Sequence, residues 1–253
     1  MRLTFLGTGT SGGVPGLGCN CKVCRSTAPH DNRLRAAALL ETRQTRILID
    51  AGPDIRQQLL RQPFRKIDAV LLTHIHYDHV AGIDDLKTFC QFGDLNIYAN
   101  EATVRGLHQT MPYCFAEHLY PGVPKLSLHT IKPHQSLQIG DISVLPIEVM
   151  HDKLPILGYR FGSFAYINDM KTIADSELSR LAGVETLVVN ALRWKKEHHS
   201  HMLVDEAIDF ARKVGAKVTY FTHMNHEIGL HAEASRLLPP GFHLAFDGEV
   251  LQL

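Results

Sequence analysis

The sequence predicts a mixed α/β fold in which helices cover sheet, and three observations carry that reading. Short apolar runs alternate with 3.6-periodic stretches from end to end. Each apolar run closes on Gly, Asp, Thr or His, and no low-complexity linker or internal repeat breaks the alternation. The 253 residues suffice for a large core, and the unbroken pattern predicts a single domain over 1–253.

Element by element, "RLTFLG" reads as an opening strand. The "GTGTSGG" that overlaps its end lacks the Gly-Lys-Ser/Thr ending and following helix of a phosphate loop, so a tight turn near the sheet edge is expected. "AAALLET", "RILIDA" and "AVLLTH" are the next strands, and "GPDIRQQLLRQ" is a helix with Pro53 in its first turn. Residues 93–130 carry no clear motif and hold only two basic residues, Arg105 and Lys125. "ISVLPIEV" and "SFAYIND" are strands, followed by a helix at "DSELSRLA", a strand at "TLVVN", a helix at "MLVDEAIDFARKVG" and a strand at "KVTYFT". In that last helix Leu203, Val204, Ala207, Ile208, Ala211 and Val214 keep helical spacing and Gly215 stops it.

Lys plus Arg and Asp plus Glu are 26 each, so the formal charge is zero and no basic arm is visible. That gives no strong nucleic-acid signal, because phosphate neutralisation is the source of such affinity. The apolar stretch in "MRLTFLGTGTSGG" is too short for a signal peptide and no later run reaches membrane-spanning length, so a cytoplasmic, membrane-free protein is expected. The sequence leaves a homodimer open. Of five cysteines, Cys19, Cys21 and Cys24 share one loop, which in a reducing compartment points to metal ligation before disulfides. Cys90 and Cys114 read as ordinary buried or partly buried thiols.

The histidines and acids gather where strands end. "LLTHIHYDH" supplies His74, His76, Asp78 and His79, "IEVMHD" supplies His151, "AYIND" supplies Asp169 and "YFTH" supplies His223. Four strand ends so equipped are hard to explain by packing, since loops on a rigid sheet are where function converges. Three imidazoles and a carboxylate in six residues exceed what one tetrahedral ion takes from so short a stretch, so two ions are implied. If the segment leaves its strand extended, His74 and His76 point to one side and grip one ion, while the turn lets Asp78 and His79 face a second. His151 and His223 then complete the two sets and Asp169 bridges them; Asp78 is given a catalytic as well as a ligating role. Such a pair of cations makes water between them acidic, which is hydrolase chemistry. His226, three residues past His223, shares that metal if the segment is helical and faces elsewhere if the chain turns.

The pattern His-x-His-x-Asp-His with a distant His, Asp and final His resembles the metallo-β-lactamase superfamily, over nearly the whole chain from "FLGTGTSGG" to "AFDGEV". The resemblance implies a four-layer αββα sandwich and a metal-dependent hydrolase; it is weak for substrate. "GCNCKVC", "HSH" and "FTHMNHE" are similar to the branch acting on phosphoribosyl 1,2-cyclic phosphate, which is related to the tRNA 3′-end endonucleases. That branch implies a structural zinc on Cys19, Cys21, Cys24 and His226, and a phosphate-contacting, leaving-group-protonating role for His201. His199 is a further substrate-binding candidate beside it. Arg33 and Arg35 are candidates for phosphate, with plain surface positions the expectation for both. Asn168 departs from the branch, where a small hydroxyl residue is commoner.

The expected activity is therefore a phosphodiesterase with two divalent ions, zinc or manganese with iron equally suited, plus one structural zinc, acting on a small phosphorylated substrate. The rivals are an RNA 3′-processing endonuclease, a thioester or lactone hydrolase that needs no His201, and a non-catalytic metal-binding scaffold.

Overall fold

A computed structural model describes residues 1–116, 118 and 122–253, so part of the motif-poor stretch 93–130 lies outside the described residues. Along the chain come β1 (Arg2–Gly7), β2 (Ala37–Glu41), β3 (Arg46–Ile49), α1 (Ile55–Leu59), β4 (Ala69–Leu71), α2 (Tyr77–Val80), β5 (Leu95–Ala99), α3 (Glu101–Thr110) and β6 (Leu126–Thr130). The second half holds β7 (Leu137–Ile139), β8 (Ile142–His151), β9 (Leu154–Phe161), β10 (Phe164–Ile167), α4 (Asp175–Leu178) and β11 (Thr186–Asn190). It ends with α5 (Val204–Val214), β12 (Val218–Thr222), α6 (His231–Ala234), β13 (Phe242–Leu244) and β14 (Val250–Gln252).

Among the described residues the strands form two seven-stranded sheets, ordered β14-β1-β2-β3-β4-β5-β6 and β13-β12-β11-β10-β9-β8-β7. Each sheet is built alike, with an outer strand, an antiparallel meander of three, and then three parallel strands. The sequence shows no repeat, so the repeat is one of topology. Pairing order survives when side chains diverge, because period-2 burial specifies a strand without specifying which apolar residue fills it.

The apolar runs are continuous because both faces of these strands are covered. Leu40, Ile47 and Ile49 pack between the sheets with Leu3, Phe5, Tyr159, Tyr166 and Val188. Their neighbours Leu39 and Leu48 face the other way, onto Ile55, Leu86 and Leu107. On the far side, Val189 and Phe221 meet Val204, Ala207, Ile208 and Ala211 of α5. The result is the four-layer αββα sandwich that the resemblance implies.

Local signals mostly hold. α5 runs Val204–Val214, opens with the Glu206 carboxylate accepting from the Leu203 N–H (2.7 Å), and stops at Gly215 with φ 79°. α1 is shorter than expected: Asp54 is its N-cap, so Pro53 precedes the helix instead of opening it. Gly52 is required by packing, since a Cβ there would lie 1.9 Å from the Asp78 carbonyl oxygen. That close approach lets the 76–82 segment settle on residues 51–52, where Ala51 N–H donates to His79 O (2.7 Å). No helix among the described residues is long and apolar enough to cross a membrane.

Candidate functional site

The parallel strands of both sheets end at one rim, and the residues just past those ends converge. Three of them, Asp50, Asp169 and His223, adopt left-handed backbone conformations with φ of 61°, 58° and 56°. Non-glycine residues hold that region only where surroundings over-determine it. Asp50 follows the last meander strand of the first sheet and Asp169 stands two past the last meander strand of the second, so the topological repeat gives each half a turned aspartate near that position.

Two sets of ligand-type atoms lie within 4.8 Å of one another: His74, His76 and His151, and Asp78, His79, Asp169 and His223. All are buried except His76, which stands at the rim. The Asp169 carboxylate lies between the sets. Its Oδ2 is 3.0 Å from His79 Nε2 and 3.5 Å from His74 Nε2, while its Oδ1 is 2.8 Å from His223 Nε2. The division of "HIHYDH" into two pairs is thus the one its extended exit and following turn predict.

The surrounding hydrogen bonds fix which nitrogen faces inward. Thr73 Oγ1 lies 3.0 Å from Asp50 Oδ2, so it donates there and accepts from His74 Nδ1 (3.0 Å). His79 Nδ1 donates to Asp50 Oδ2 (2.7 Å) and His151 Nδ1 to the Asp169 carbonyl (2.7 Å). Each ring therefore turns its Nε2 toward the same buried space as two carboxylates. His79 Nε2, Asp169 Oδ1 and His201 Nε2 have no hydrogen-bond partner there. This is the donor set of a divalent cation site, and the residues fit one. Proton affinities tell the same story. Burial works to lower His79, yet Asp50, Asp169 and Asp78 raise it well above its ordinary value; against the same opposition Asp169 raises His223 to about 9. Burial would raise both carboxyls, but His79 holds Asp78 low, and His223 with His79 holds Asp169 low. Burial lowers His74 and His76 on the other side, so the raised proton affinity belongs to the carboxylate-rich half of the space.

His201 stands half-buried beside the cluster, its Nε2 3.5 Å from Asp169 Oδ1 and its ring edge-on to His151 at 4.8 Å. Its ligand atom is also within 4.8 Å of those of His151 and Asp169. Its Nδ1 is braced by Ser200 Oγ and His198 Nδ1, each at 3.0 Å. Burial pushes this imidazole down to about 4. His199 is exposed and stacks on His198, outside the cluster.

A second cluster joins Cys19, Cys21, Cys24 and His226, with His226 Nδ1 3.3 Å from Cys21 Sγ. Four such donors fit a tetrahedral structural zinc. Arg33 corrects the surface expectation: it is only 3 % exposed, donating to Thr8 Oγ1 and Ala245 O in the core. Arg35 pairs with Asp54 (3.0 Å) away from the cluster. Cys114 is buried and Cys90 half-buried, as expected. Asn168 is fully buried with neither amide atom partnered, beside the ligand it precedes. Asp50 escaped the sequence reading, although "LIDA" places an acid at a strand end just as "AYIND" does.

Residues 45–224 match the sequence pattern of the beta-lactamase superfamily domain. The chain belongs to the metallo-β-lactamase superfamily. A solved diphosphatase from the PhnP family is 40% identical, covers 99% of this chain and 97% of its own, and superposes with a TM-score of 0.91. Zinc-bound PqqB from Methylobacterium extorquens superposes at 0.82 over 100% of both chains, but at 20% identity it speaks to the fold alone. A curated relative from Porphyromonas gingivalis named octanoyltransferase is 44% identical over 249 residues, which are 98% of this chain and 51% of that protein. The chain spans about half, or less, of the length of the curated relatives it matches.

Proposed function

We propose that this superfamily member is a dinuclear metal-dependent phosphodiesterase hydrolysing a small cyclic or ribose-linked phosphodiester. His74, His76 and His151 would hold one ion and Asp78, His79 and His223 the other, with Asp169 available to both; Cys19, Cys21, Cys24 and His226 would hold a structural zinc. When bound, a pair of divalent cations supplies a Lewis acid for the phosphoryl oxygens and makes water a usable nucleophile near neutral pH.

The single observation that carries the reading is His201, held by Ser200 and His198 so that its buried, unpartnered Nε2 faces the Asp169 carboxylate of the cluster. There it holds a proton for a departing alkoxide. A buried imidazole pushed down to about 4 is neutral in the free protein. An anionic diester alongside it brings the opposite charge that raises it toward a useful range. The PhnP-family diphosphatase, 40% identical over nearly the whole chain, supports phosphorus chemistry.

The octanoyltransferase name of the longer relative favours a second reading, hydrolysis of an acyl thioester or lactone by the same ligands, in which His201 has no required part. A turnover screen of metal-loaded protein against cyclic ribose phosphates, linear phosphodiesters, thioesters and lactones decides between them. Turnover of thioesters with none of the diesters would end the phosphodiesterase reading.

A further inference from the structure

The loop that presents His201 is closed at its base, where Leu192 N–H donates to Met202 O (2.9 Å) and Val204 N–H to Arg193 O (3.0 Å). Nothing in that closure fixes how far the loop leans toward the cluster. The missing constraint comes from residues 225–228. Arg193 Nη1 donates to Glu227 Oε2 (2.5 Å), Lys196 Nζ pairs with Glu227 Oε1, and Trp194 Nε1 donates to Ile228 O (2.8 Å). Within the loop Arg193 Nε also donates to Lys196 O (2.9 Å), which ties the two cations that Glu227 grips into one unit. Asn225 N–H donates to Leu192 O (3.0 Å), and Asn225 Oδ1 accepts from Glu227 N–H (2.8 Å), so the carboxylate sits on a fixed base.

That base is one residue from His226 of the thiolate cluster. The path from Cys21 to His201 is a contiguous chain: Cys21 to His226, along the backbone to Glu227, across two charge-assisted bonds to Arg193 and Lys196, and through the closed loop to His198, Ser200 and His201. A single exposed ion pair is worth little, but one half-buried carboxylate gripping two cations of the same short loop acts as a geometric clamp. We propose that Glu227 is a positioning residue for His201 and that a metal ion on Cys19, Cys21, Cys24 and His226 sets where Glu227 stands. The thiolate centre then does more than hold the fold: it aims the phosphate-facing histidine. Only the role of His201 in this proposal rests on the phosphodiesterase reading; how the loop is held does not.

The test is backbone hydrogen exchange of Leu192, Ser200 and Val204, loop amides that hold hydrogen bonds, in metal-loaded protein, with residues 208–214 of α5 as internal control. Glu227→Gln keeps the shape of the side chain and removes its charge. Exchange at these amides should quicken at least about tenfold, with residues 208–214 unchanged. Hydrolysis of an alkoxide-leaving cyclic phosphate should fall about 10- to 100-fold, as small misplacements of reacting groups do, and an activated aryl diester should lose far less. Cys21→Ser should lose the thiolate metal and loosen the same segment although Glu227 is intact. Unchanged exchange in Glu227→Gln overturns the clamp. Loss of the thiolate metal in Cys21→Ser with those loop amides still protected overturns the link to that metal. A loosened loop with equal losses on both diesters overturns the positioning of His201. If the wild-type protein hydrolyses no phosphodiester, that failure falls on the proposed activity, and the exchange measurements still decide the clamp and its link to the metal.

Discussion

His223 and His226 stand three residues apart and face different ligand clusters. His223 Nε2 lies 2.8 Å from Asp169 Oδ1, and His226 Nδ1 lies 3.3 Å from Cys21 Sγ. The separation follows from the backbone. β12 ends at Thr222, His223 takes a left-handed φ of 56°, and Asn225 caps a fresh short helix at His226–Ile228. A regular helix through both residues would have set the rings on one face.

With both clusters filled, undisturbed protein should contain close to three metals per chain by elemental analysis. Two should exchange with a chelator more readily than the third, because thiolates hold zinc more tenaciously than a mixed imidazole and carboxylate set. A stoichiometry near one would end the dinuclear reading.

Metal uptake should release protons and tighten with pH. Asp169, working against burial, raises His223 to about 9, and Asp50 heads the charges that raise His79. A nitrogen must lose its proton to ligate. Below about pH 9 the protonated His223 ring therefore weakens apparent affinity by up to roughly tenfold per pH unit, and the raised His79 adds to the dependence in the same direction. Chelator competition at three pH values reads the slope; a flat profile from pH 6.5 to 8.5 would contradict it.

Asp50→Asn should retain the fold, since the amide oxygen still accepts from the Thr73 N–H that Asp50 Oδ1 holds at 2.8 Å. It removes the charge that orients His79. Affinity for one exchangeable ion should fall about 10- to 100-fold, the usual cost of losing such a partner. Equal affinity in a competition titration would show that Asp50 only packs.

Replacing Cys21 with Ser should release one metal and lower the melting temperature. The cluster closes a loop of about two hundred residues, and a cross-link of that span is worth on the order of 4 kcal/mol, or about 10 °C in a chain this long. Full stability without metal loss would mean the cysteines meet by accident of spacing.

His201→Ala should slow a cyclic ribose phosphate by about 10² to 10⁴ while an aryl phosphodiester with a good leaving group loses far less. Metal content should stay unchanged. If an ion leaves instead, His201 is a ligand, as its closeness to His151 and Asp169 allows.

The His and Asp residues that the fold gathers were legible in the sequence because they follow apolar runs, and a strand end followed by His or Asp is a local signal. The pairing inside "HIHYDH" was legible too, from side-chain alternation and one turn. Asp50 was not, because a lone acid after "RILI" looks like any strand terminator until the fold sets it 2.7 Å from His79. Glu227 and Arg193 were silent for the same reason, being 34 residues apart in the sequence. The 93–130 stretch hid β5, α3 and β6, whose strands alternate between buried and half-buried positions or lie at the sheet edge, so they lack the solid apolar run that marks the central strands. The matched halves escaped because a repeat of pairing order leaves no mark on residue identity.

The strand β14 pairs with β1, and Met1 and Leu253 exchange backbone hydrogen bonds at 3.0 and 2.9 Å. Time enters the fold here. During synthesis the first six strands emerge early, but β1 keeps one open edge until β14 clears the ribosome, on the order of tens of seconds after β1 does. Through that interval the nascent sheet carries an unpaired border that invites wrong partners. Asp247, which accepts from Thr8 and Leu34, arrives in the same late segment. Translation stalled just short of Val250 therefore leaves a chain with every metal ligand made and its first sheet still unsealed.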